Sequence, residues 1–158
     1  MRKSLAIFLS GVALTIAAST ALAGEQVLEF KLIIKPIDVK VTEAANVEGQ
    51  TVMSGKFFGV TVFKDGRIGV KEFVHSADLL KDSGPYYGYS TYTFEEGSIT
   101  ARYTGSVKDG RSNGEYTILS GTGAYANAKG TGTIESAPNP FKGVNLLNIK
   151  LVVKTPGT

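Results

Sequence analysis

The sequence predicts an all-β protein, a closed antiparallel barrel of eight strands, and three observations support this fold class. Apolar and polar residues alternate along most of the chain, and no helical period persists after residue 23. Glycine-containing dipeptides separate the alternating segments at the spacing of β-hairpins. Short strands joined by tight turns favour a sandwich or a closed barrel, and closure removes the exposed strand edges that promote aggregation.

The predicted strands follow one another in chain order. The first begins at Leu28, and Pro36 resets its register. The later strands are Thr51–Phe63, Arg67–Val74, Tyr86–Glu95, Ser98–Val107, Glu115–Ser120, Thr131–Ser136 and Val144–Lys154. Asp65-Gly66 is a typical hairpin-turn dipeptide. Val74–Gly84 is interpreted as the one helical turn or long loop.

The N-terminus has the features of a secretory signal. Arg2 and Lys3 precede the apolar stretch Leu5–Ala18, and an Ala-x-Ala motif ends at Ala23. A membrane-spanning helix needs about 20 apolar residues, so this shorter run predicts no membrane anchor. We therefore expect residues 1–23 to be a cleaved signal, residues 24–158 to form a single barrel domain, and the protein to be secreted or periplasmic.

Charge and composition exclude several function classes. Arg2 and Lys3 account for two of the 17 basic residues, so residues 24–158 carry 15 basic and 14 acidic side chains. This balance gives no support to a nucleic-acid-binding surface. Cys is absent, and His75 as the one histidine cannot build a multi-histidine site, so no metal site is predicted. No cofactor is expected.

The segment Ser120–Gly132 is the densest local motif. It is rich in glycine, but Ala126 stands where a dinucleotide-binding loop needs its third glycine, and no helical period follows. Small residues instead let the chain bend between barrel strands, with Tyr125 as a plug.

Several stretches together resemble the allene oxide cyclase and dirigent superfamily of plant barrels and its bacterial relatives. Gly84-Pro85-Tyr86 through Phe94, then Gly97-Ser98-Ile99, is similar to the paired central strands of the cyclases. Tyr116–Tyr125, followed by Ala128-Lys129-Gly130, resembles the family's Gly-Thr-Gly turn, its aromatic residue and its second glycine. Pro140-Phe141-Lys142 resembles the cyclase C-terminus.

The resemblance implies a closed calycin-like barrel of eight antiparallel strands, usually trimeric, with a hydrophobic lumen. Relatives bind an unsaturated or phenolic molecule there and steer its cyclisation or coupling without a cofactor. The chain departs from the family pattern at Ala124, where some members carry a polar or charged residue, at Lys129, where arginine is frequent, and in lacking the lumen cysteine. The fold transfers more safely than the reaction.

Two residues are predicted to carry chemistry if there is any. Tyr103 shares strand parity with Ile99 and Ala101, which places its phenol in the lumen near a strand end. Glu29 is the one carboxylate of the apolar first strand and would face the lumen only if a bulge after Gln26 reversed the parity; otherwise it pairs with a surface lysine. The residues expected to contact a ligand are Phe30, Tyr92, Ile99 and Tyr125.

Three function classes remain open. The first is an exported barrel that binds a small hydrophobic or unsaturated molecule in its lumen. The second is a cofactor-free cyclase or isomerase of such a molecule, which would need a lumen acid or base. The third is a structural or protein-interaction module of the periplasm, favoured if side chains fill the interior. A homo-oligomer, most simply a trimer, is expected because aromatic residues occupy both faces of the strand around Tyr87 and Tyr89.

Overall fold

The computed structural model describes residues 24–139 and 144–156, in which eight consecutive antiparallel strands close into one barrel. The strands are β1 (Gly24–Glu43), β2 (Gln50–Phe63), β3 (Ile68–Leu80), β4 (Gly84–Phe94), β5 (Gly97–Lys108), β6 (Arg111–Gly121), β7 (Lys129–Ser136) and β8 (Asn145–Thr155). A short 3-10 helix, Gly123–Tyr125, lies between β6 and β7. The predicted barrel is confirmed. The predicted signal, residues 1–23, and the family-like segment 140–142 lie outside the described residues.

The long first strand closes the barrel. Its residues Gly24–Ile34 pair with β8, and its residues Phe30–Glu43 pair with β2, so β1 joins the two ends of the sheet. The register against β2 shifts between Pro36 and Asp38, as predicted for Pro36, which lacks a backbone N–H. Closure leaves no free strand edge within the described barrel.

Alternation along each strand separates the core from the surface. In β1, Leu28, Phe30 and Leu32 are buried, while the residues between them are exposed. This period of two is the geometry of a strand with one face turned to an interior. The core is therefore the inside of the barrel.

The interpretation of Val74–Gly84 as a helical turn or long loop is wrong. Strand β3 continues to Leu80 and pairs with β2 as far as Gln50. Inward-facing Ala77 extends the alternation of buried and exposed residues. Polar residues between the inward positions reach solvent, so the sequence of this part of the strand resembles a loop. The chain then reverses through Lys81 and Asp82, whose φ angles of 51° and 61° are left-handed.

The two ends of the barrel differ. At one end the rings of Phe30, Phe63, Phe94 and Tyr125 pack together, with centroids 5.0 Å apart for Phe30 and Phe63 and 5.9 Å for Phe94 and Tyr125. Tyr125 is buried at this end, in agreement with its predicted role as a plug. The opposite end, where the β5–β6 turn and residues 137–139 lie, is open as far as the described residues show.

The outer surface carries exposed apolar residues. Tyr87 and Tyr89 point outward and are 55% and 50% exposed, whereas Tyr92 and Phe94 of the same strand are buried inside. The predicted homo-oligomer would cover such residues, and it stays a prediction. No helix among the described residues combines the length and apolar character needed to cross a membrane.

Candidate functional site

A cavity of about 550 Å³ occupies the open half of the barrel. This volume lies within the range of small-molecule sites, which is about 300–1,000 Å³. Its walls include apolar side chains such as Ile34, Met53 and Leu147. Six rings also line it, namely those of Phe57, Phe73, His75, Tyr86, Tyr103 and Tyr116. The barrel is thus closed at one end by packed rings and hollow at the other.

Inward-facing glycines make room for these rings. A Cβ atom at Gly88 would collide with the hydroxyl of Tyr103, and one at Gly105 would collide with the hydroxyl of Tyr86. The Tyr86 hydroxyl passes over Gly105 and donates a hydrogen bond to the carbonyl oxygen of Asn113, 3.1 Å away. Because these two glycines lack side chains, the hydroxyl ends of two large rings can lie against the neighbouring strand.

Lys71 lines the inner end of this cavity. It belongs to β3, where Gly69 and Phe73 are its inward neighbours, and it is 2% exposed. Its Nζ lies 4.3 Å from the ring centroid of Phe73 and 4.8 Å from that of Tyr103. Nζ also donates a hydrogen bond of 2.8 Å to the hydroxyl of Tyr116. The amine is enclosed by rings on three sides.

No carboxylate pairs with Lys71 among the described residues, whose ion pairs all lie on the surface. Two effects on its charge compete, because aromatic faces attract an ammonium while burial removes its hydration. Burial dominates and lowers the pKa of Lys71 to about 7. Near neutral pH this site therefore holds comparable amounts of ammonium and free amine.

The Lys71–Tyr116 contact continues into a second phenol. The hydroxyls of Tyr116 and Tyr92 are 2.7 Å apart, which forms a buried chain from Lys71 through Tyr116 to Tyr92. Burial raises the pKa of both phenols well above the ordinary range, so both stay protonated at neutral pH. The two phenols can donate hydrogen bonds but cannot supply a negative charge to balance the ammonium.

A second polar pair lies beside the amine. The Tyr103 hydroxyl donates to the carbonyl oxygen of Val74 at 3.0 Å and lies 3.1 Å from Nδ1 of His75. Since the phenol has one proton, Nδ1 must then carry hydrogen and donate to the Tyr103 oxygen. Burial and, secondarily, the positive charge of Lys71 lower the pKa of His75 to about 4. The imidazole is therefore neutral at physiological pH.

The structure places the two predicted chemical residues differently. Tyr103 is buried and lines the cavity, as expected. Glu29 lies on the outer surface with its side chain 52% exposed, 3.3 Å from Nζ of Lys150. The pairing of β1 with β8 has no register shift between Gln26 and Ile34, so no bulge turns Glu29 inward. Its proposed place in the lumen is corrected to the surface ion pair that the alternation itself favours.

The predicted ligand contacts are buried but do not line the cavity. Phe30 and Tyr125 belong to the packed end, and Ile99 is fully buried near the start of β5. Tyr92 lies just beyond the inner end of the cavity, with its ring centroid 5.1 Å from Nζ of Lys71. A ligand in the cavity would meet Lys71 and Tyr116 before it reached any of these four side chains.

Sequence reasoning missed Lys71 and Tyr116. A usable signal was present for the lysine, since Lys71 has the same strand parity as Phe73 and His75 and so faces inward with them. The contact between Lys71 and Tyr116, 45 residues apart, depends on barrel closure and could not be read from either strand alone.

Comparisons with known proteins identify the architecture. No family model matches the chain, and no curated protein matches it either. Among solved structures, a pterocarpan synthase dirigent protein is similar with a TM-score of 0.60 at 13% identity, covering 92% of this chain and 98% of that one. Pyocyanin demethylase is similar with a TM-score of 0.55 at 18% identity, covering 80% and 100%. A DUF3224-family protein from Shewanella oneidensis gives a TM-score of 0.56 at 15% identity, covering 85% and 100%.

These similarities concern the fold. The chain shares the closed eight-stranded barrel of dirigent proteins, as the resemblance implied, over most of the length of each structure. At these identities the comparisons carry no residue roles from one chain to the other.

Proposed function

We propose that the protein binds a small, planar, unsaturated molecule in the open half of its barrel. The observation that carries the proposal is a cavity of about 550 Å³ with aromatic side chains in its walls, which ends on a buried lysine that has no carboxylate partner among the described residues. A filled interior would have favoured a purely structural module. An open lumen with a few polar groups among rings is the usual form of a small-molecule site.

The walls favour a flat ligand. Phe57 stacks on Phe73 with centroids 5.1 Å apart and an interplanar angle of 16°, so one wall presents a layered aromatic surface. Flat unsaturated rings gain contact with such surfaces through offset stacking or edge-to-face packing. A flexible aliphatic chain would also bury apolar surface, but it could not stack on these rings or pack against them edge to face.

The polar end of the ligand is expected to carry an oxygen. Nζ of Lys71 gives one hydrogen bond to Tyr116 and, as an ammonium, has two further donors directed among the rings. An oxygen atom of the ligand would accept a hydrogen bond from one of them and would lower the cost of burying the charge. An acidic oxygen would raise the pKa of Lys71 from about 7 toward its ordinary value.

The neighbouring folds agree with a small-molecule role. One similar barrel is named as a demethylase of pyocyanin and another as a pterocarpan synthase. The same architecture therefore houses small-molecule chemistry in other chains.

A matched pair of dyes tests the proposal. N-phenylnaphthylamine and anilinonaphthalene sulfonate share their rings and differ in the sulfonate, and both brighten when they leave water. We expect saturable binding of both, with the sulfonate favoured increasingly as the pH falls below about 7 and Lys71 becomes charged.

Two tryptophan variants locate the dyes. Val107→Trp places a large ring in the cavity and should weaken binding at least about tenfold, because the space is occupied. Val52→Trp adds the same ring to an exposed position on the outer face and should leave binding unchanged. Equal binding by both variants, or no saturable binding by the wild type, would refute a lumen site.

A cofactor-free isomerase or cyclase is the second candidate, and Lys71 is the observation that favours it. Ring closure or isomerisation with proton movement needs an acid or base in the lumen, and a pKa of Lys71 near 7 suits a general base at neutral pH. Tetralone, a bicyclic ketone, can report this activity through deuterium uptake beside its carbonyl in heavy water. Uptake that is lost in Lys71→Met would support proton transfer, and no uptake by a protein that binds the dyes would exclude it.

We also infer that binding takes place outside the cytoplasm. The charged and then apolar N-terminus with its Ala-x-Ala motif at Ala23 supports export and cleavage. Expression of the full chain in a bacterium, followed by fractionation and intact mass measurement, tests this inference. A mature chain that begins at Gly24 in the secreted or periplasmic fraction is the expected result; the full-length mass in the cytoplasm would contradict it.

A further inference from the structure

We propose that Lys71 is a covalent site, whose amine condenses with the carbonyl group of an aldehyde or ketone ligand to form a Schiff base. The inference rests on the proposed function, because the carbonyl compound must first enter the lumen. The oxygen of the ligand would belong to its carbonyl group, and the new bond would be a carbon–nitrogen double bond to Nζ of Lys71.

Position is the first argument. Lys71 is 2% exposed to bulk solvent, yet it lines a cavity that is open at the barrel end among the described residues, so the lumen is the route by which a small molecule would approach its amine. An amine with this access and no carboxylate partner among the described residues is not occupied by an ion pair.

Cost is the second argument. A buried lysine without an opposite charge disfavours folding, and an apolar side chain of similar length would fill the same space without that penalty. The rings of Phe73, Tyr103 and Tyr116 compensate only in part, because burial still lowers the pKa of Lys71 to about 7. Desolvated lysines of this kind are those that act as nucleophiles toward carbonyl groups.

The neighbouring groups suit the condensation. The titratable groups that surround Nζ are Tyr92 from β4, Tyr103 from β5, Tyr116 from β6 and His75 from its own strand. All four are neutral at neutral pH because burial raises the pKa of the three phenols and lowers that of the imidazole. No anion is available among them to hold Lys71 as an ammonium.

The chemical steps balance without a further reactant. The lone pair on Nζ attacks the carbonyl carbon, and a proton passes from nitrogen to oxygen to give a carbinolamine. The carbon–oxygen bond then breaks, and water leaves with two protons that were originally on the amine. The Tyr116 hydroxyl, 2.8 Å from Nζ, can donate a hydrogen bond to the departing oxygen. The product is an imine between Nζ and the former carbonyl carbon.

Reductive trapping with naphthaldehyde tests the proposal. The purified protein is mixed with the aldehyde at neutral pH, cyanoborohydride delivers hydride to any imine carbon, and peptide mapping identifies the alkylated lysine. At pH 7 the lowered pKa of Lys71 leaves part of its amine free, so we expect labelling at Lys71 at least about a hundredfold faster than at Lys56, an exposed lysine outside the cavity.

The dependence of the labelling rate on pH distinguishes an amine in the lumen from an exposed lysine. The preference for Lys71 over exposed lysines should be largest near neutral pH, where the lowered pKa of Lys71 leaves part of its amine free. Methylnaphthalene, which has the rings but no carbonyl, should compete with the label at Lys71 only. The Val107→Trp variant should slow labelling at Lys71 without changing that residue, and Val52→Trp should not.

The outcomes distinguish the two proposals. Labelling spread over surface lysines, with Lys71 unmodified in a protein that still binds N-phenylnaphthylamine, would overturn the covalent site and leave the lumen function standing. A protein that binds no dye and shows no preferential labelling would overturn both. Mapping of the wild-type protein decides the matter even if Lys71→Met fails to fold.

Discussion

Replacing Lys71 by methionine should change how the stability of the protein depends on pH. Below about pH 7 the lysine is charged in both the folded and the unfolded protein. Between that pKa and the ordinary value of 10.5, the folded protein has released the proton while the unfolded chain still binds it. Because the unfolded state binds more protons in this window, raising the pH favours the folded protein. Methionine removes this contribution.

The size of the effect follows from the pKa difference. Each unit of difference corresponds to about 1.4 kcal/mol, and the pKa of Lys71 falls from 10.5 to about 7 on folding. Integrated from about pH 6 to about pH 9, this gives the wild type a gain of roughly 2 to 3 kcal/mol in the free energy of unfolding relative to Lys71→Met. The variant should be the more stable protein at the acid end, because it no longer buries a charge.

Urea unfolding followed by far-ultraviolet circular dichroism measures the difference. Curves are recorded at several pH values between about 6 and 9 for the wild type, for Lys71→Met and for Lys56→Met, an exposed lysine on the outer face of β2. The Lys56→Met profile should run parallel to the wild type. If the wild-type and Lys71→Met profiles also run parallel across the whole range, Lys71 keeps an ordinary pKa and the account of the site is wrong.

Three further predictions test other parts of the structure. Gly88→Ala should lower the free energy of unfolding by about 2 kcal/mol or more in urea, because its Cβ collides with the Tyr103 hydroxyl and a backbone carbonyl; Gly24→Ala, with open space around it, is the control and should be neutral. Glu29→Gln should cost less than about 1 kcal/mol and leave dye binding unchanged, since the exposed pair with Lys150 lies outside the cavity; weakened dye binding would restore Glu29 to the site. Light scattering should give the mass of a homo-oligomer, with a trimer expected; the mass of one chain at micromolar concentration would contradict this.

The fold could be predicted from the sequence because its signals are local. Alternation assigns each strand and its inward face, and dipeptides such as Asp65-Gly66 mark the reversals; Gly66 has the left-handed φ of 88° that this turn requires. The wrong assignment of Val74–Gly84 as a helical turn or long loop also comes from a local signal, in this case one that is missing. The turn in this segment uses Lys81 and Asp82 in left-handed conformations instead of glycine, so the usual marker was absent from the place where β3 ends.

The site was harder to predict, because it depends on which end of the barrel is hollow. Phe30, Ile99 and Tyr103 all have inward parity, yet only Tyr103 lines the cavity. The difference is set by how rings from strands that are not neighbours pack, for example Phe30 of β1 against Phe94 of β4 with centroids 5.9 Å apart. A pattern of period two gives the inward face of a strand but not the depth at which the lumen opens.

Glu29 and Lys71 show that the position of a charged residue in a barrel is predicted by its strand parity and not by its charge. Glu29 attracted attention as a lone acid in an apolar strand, but its parity directs it to water, where Lys150 meets it at 3.3 Å. Lys71 looked ordinary among the charges of β3, yet its parity directs it inward, where desolvation alters its chemistry. A basic residue with inward parity must either bury its charge at a cost in stability or give up its proton. In a hollow barrel with no lumen carboxylate among the described residues, Lys71 does the latter near neutral pH, and a free amine at the inner end of an open cavity is what a carbonyl ligand would meet.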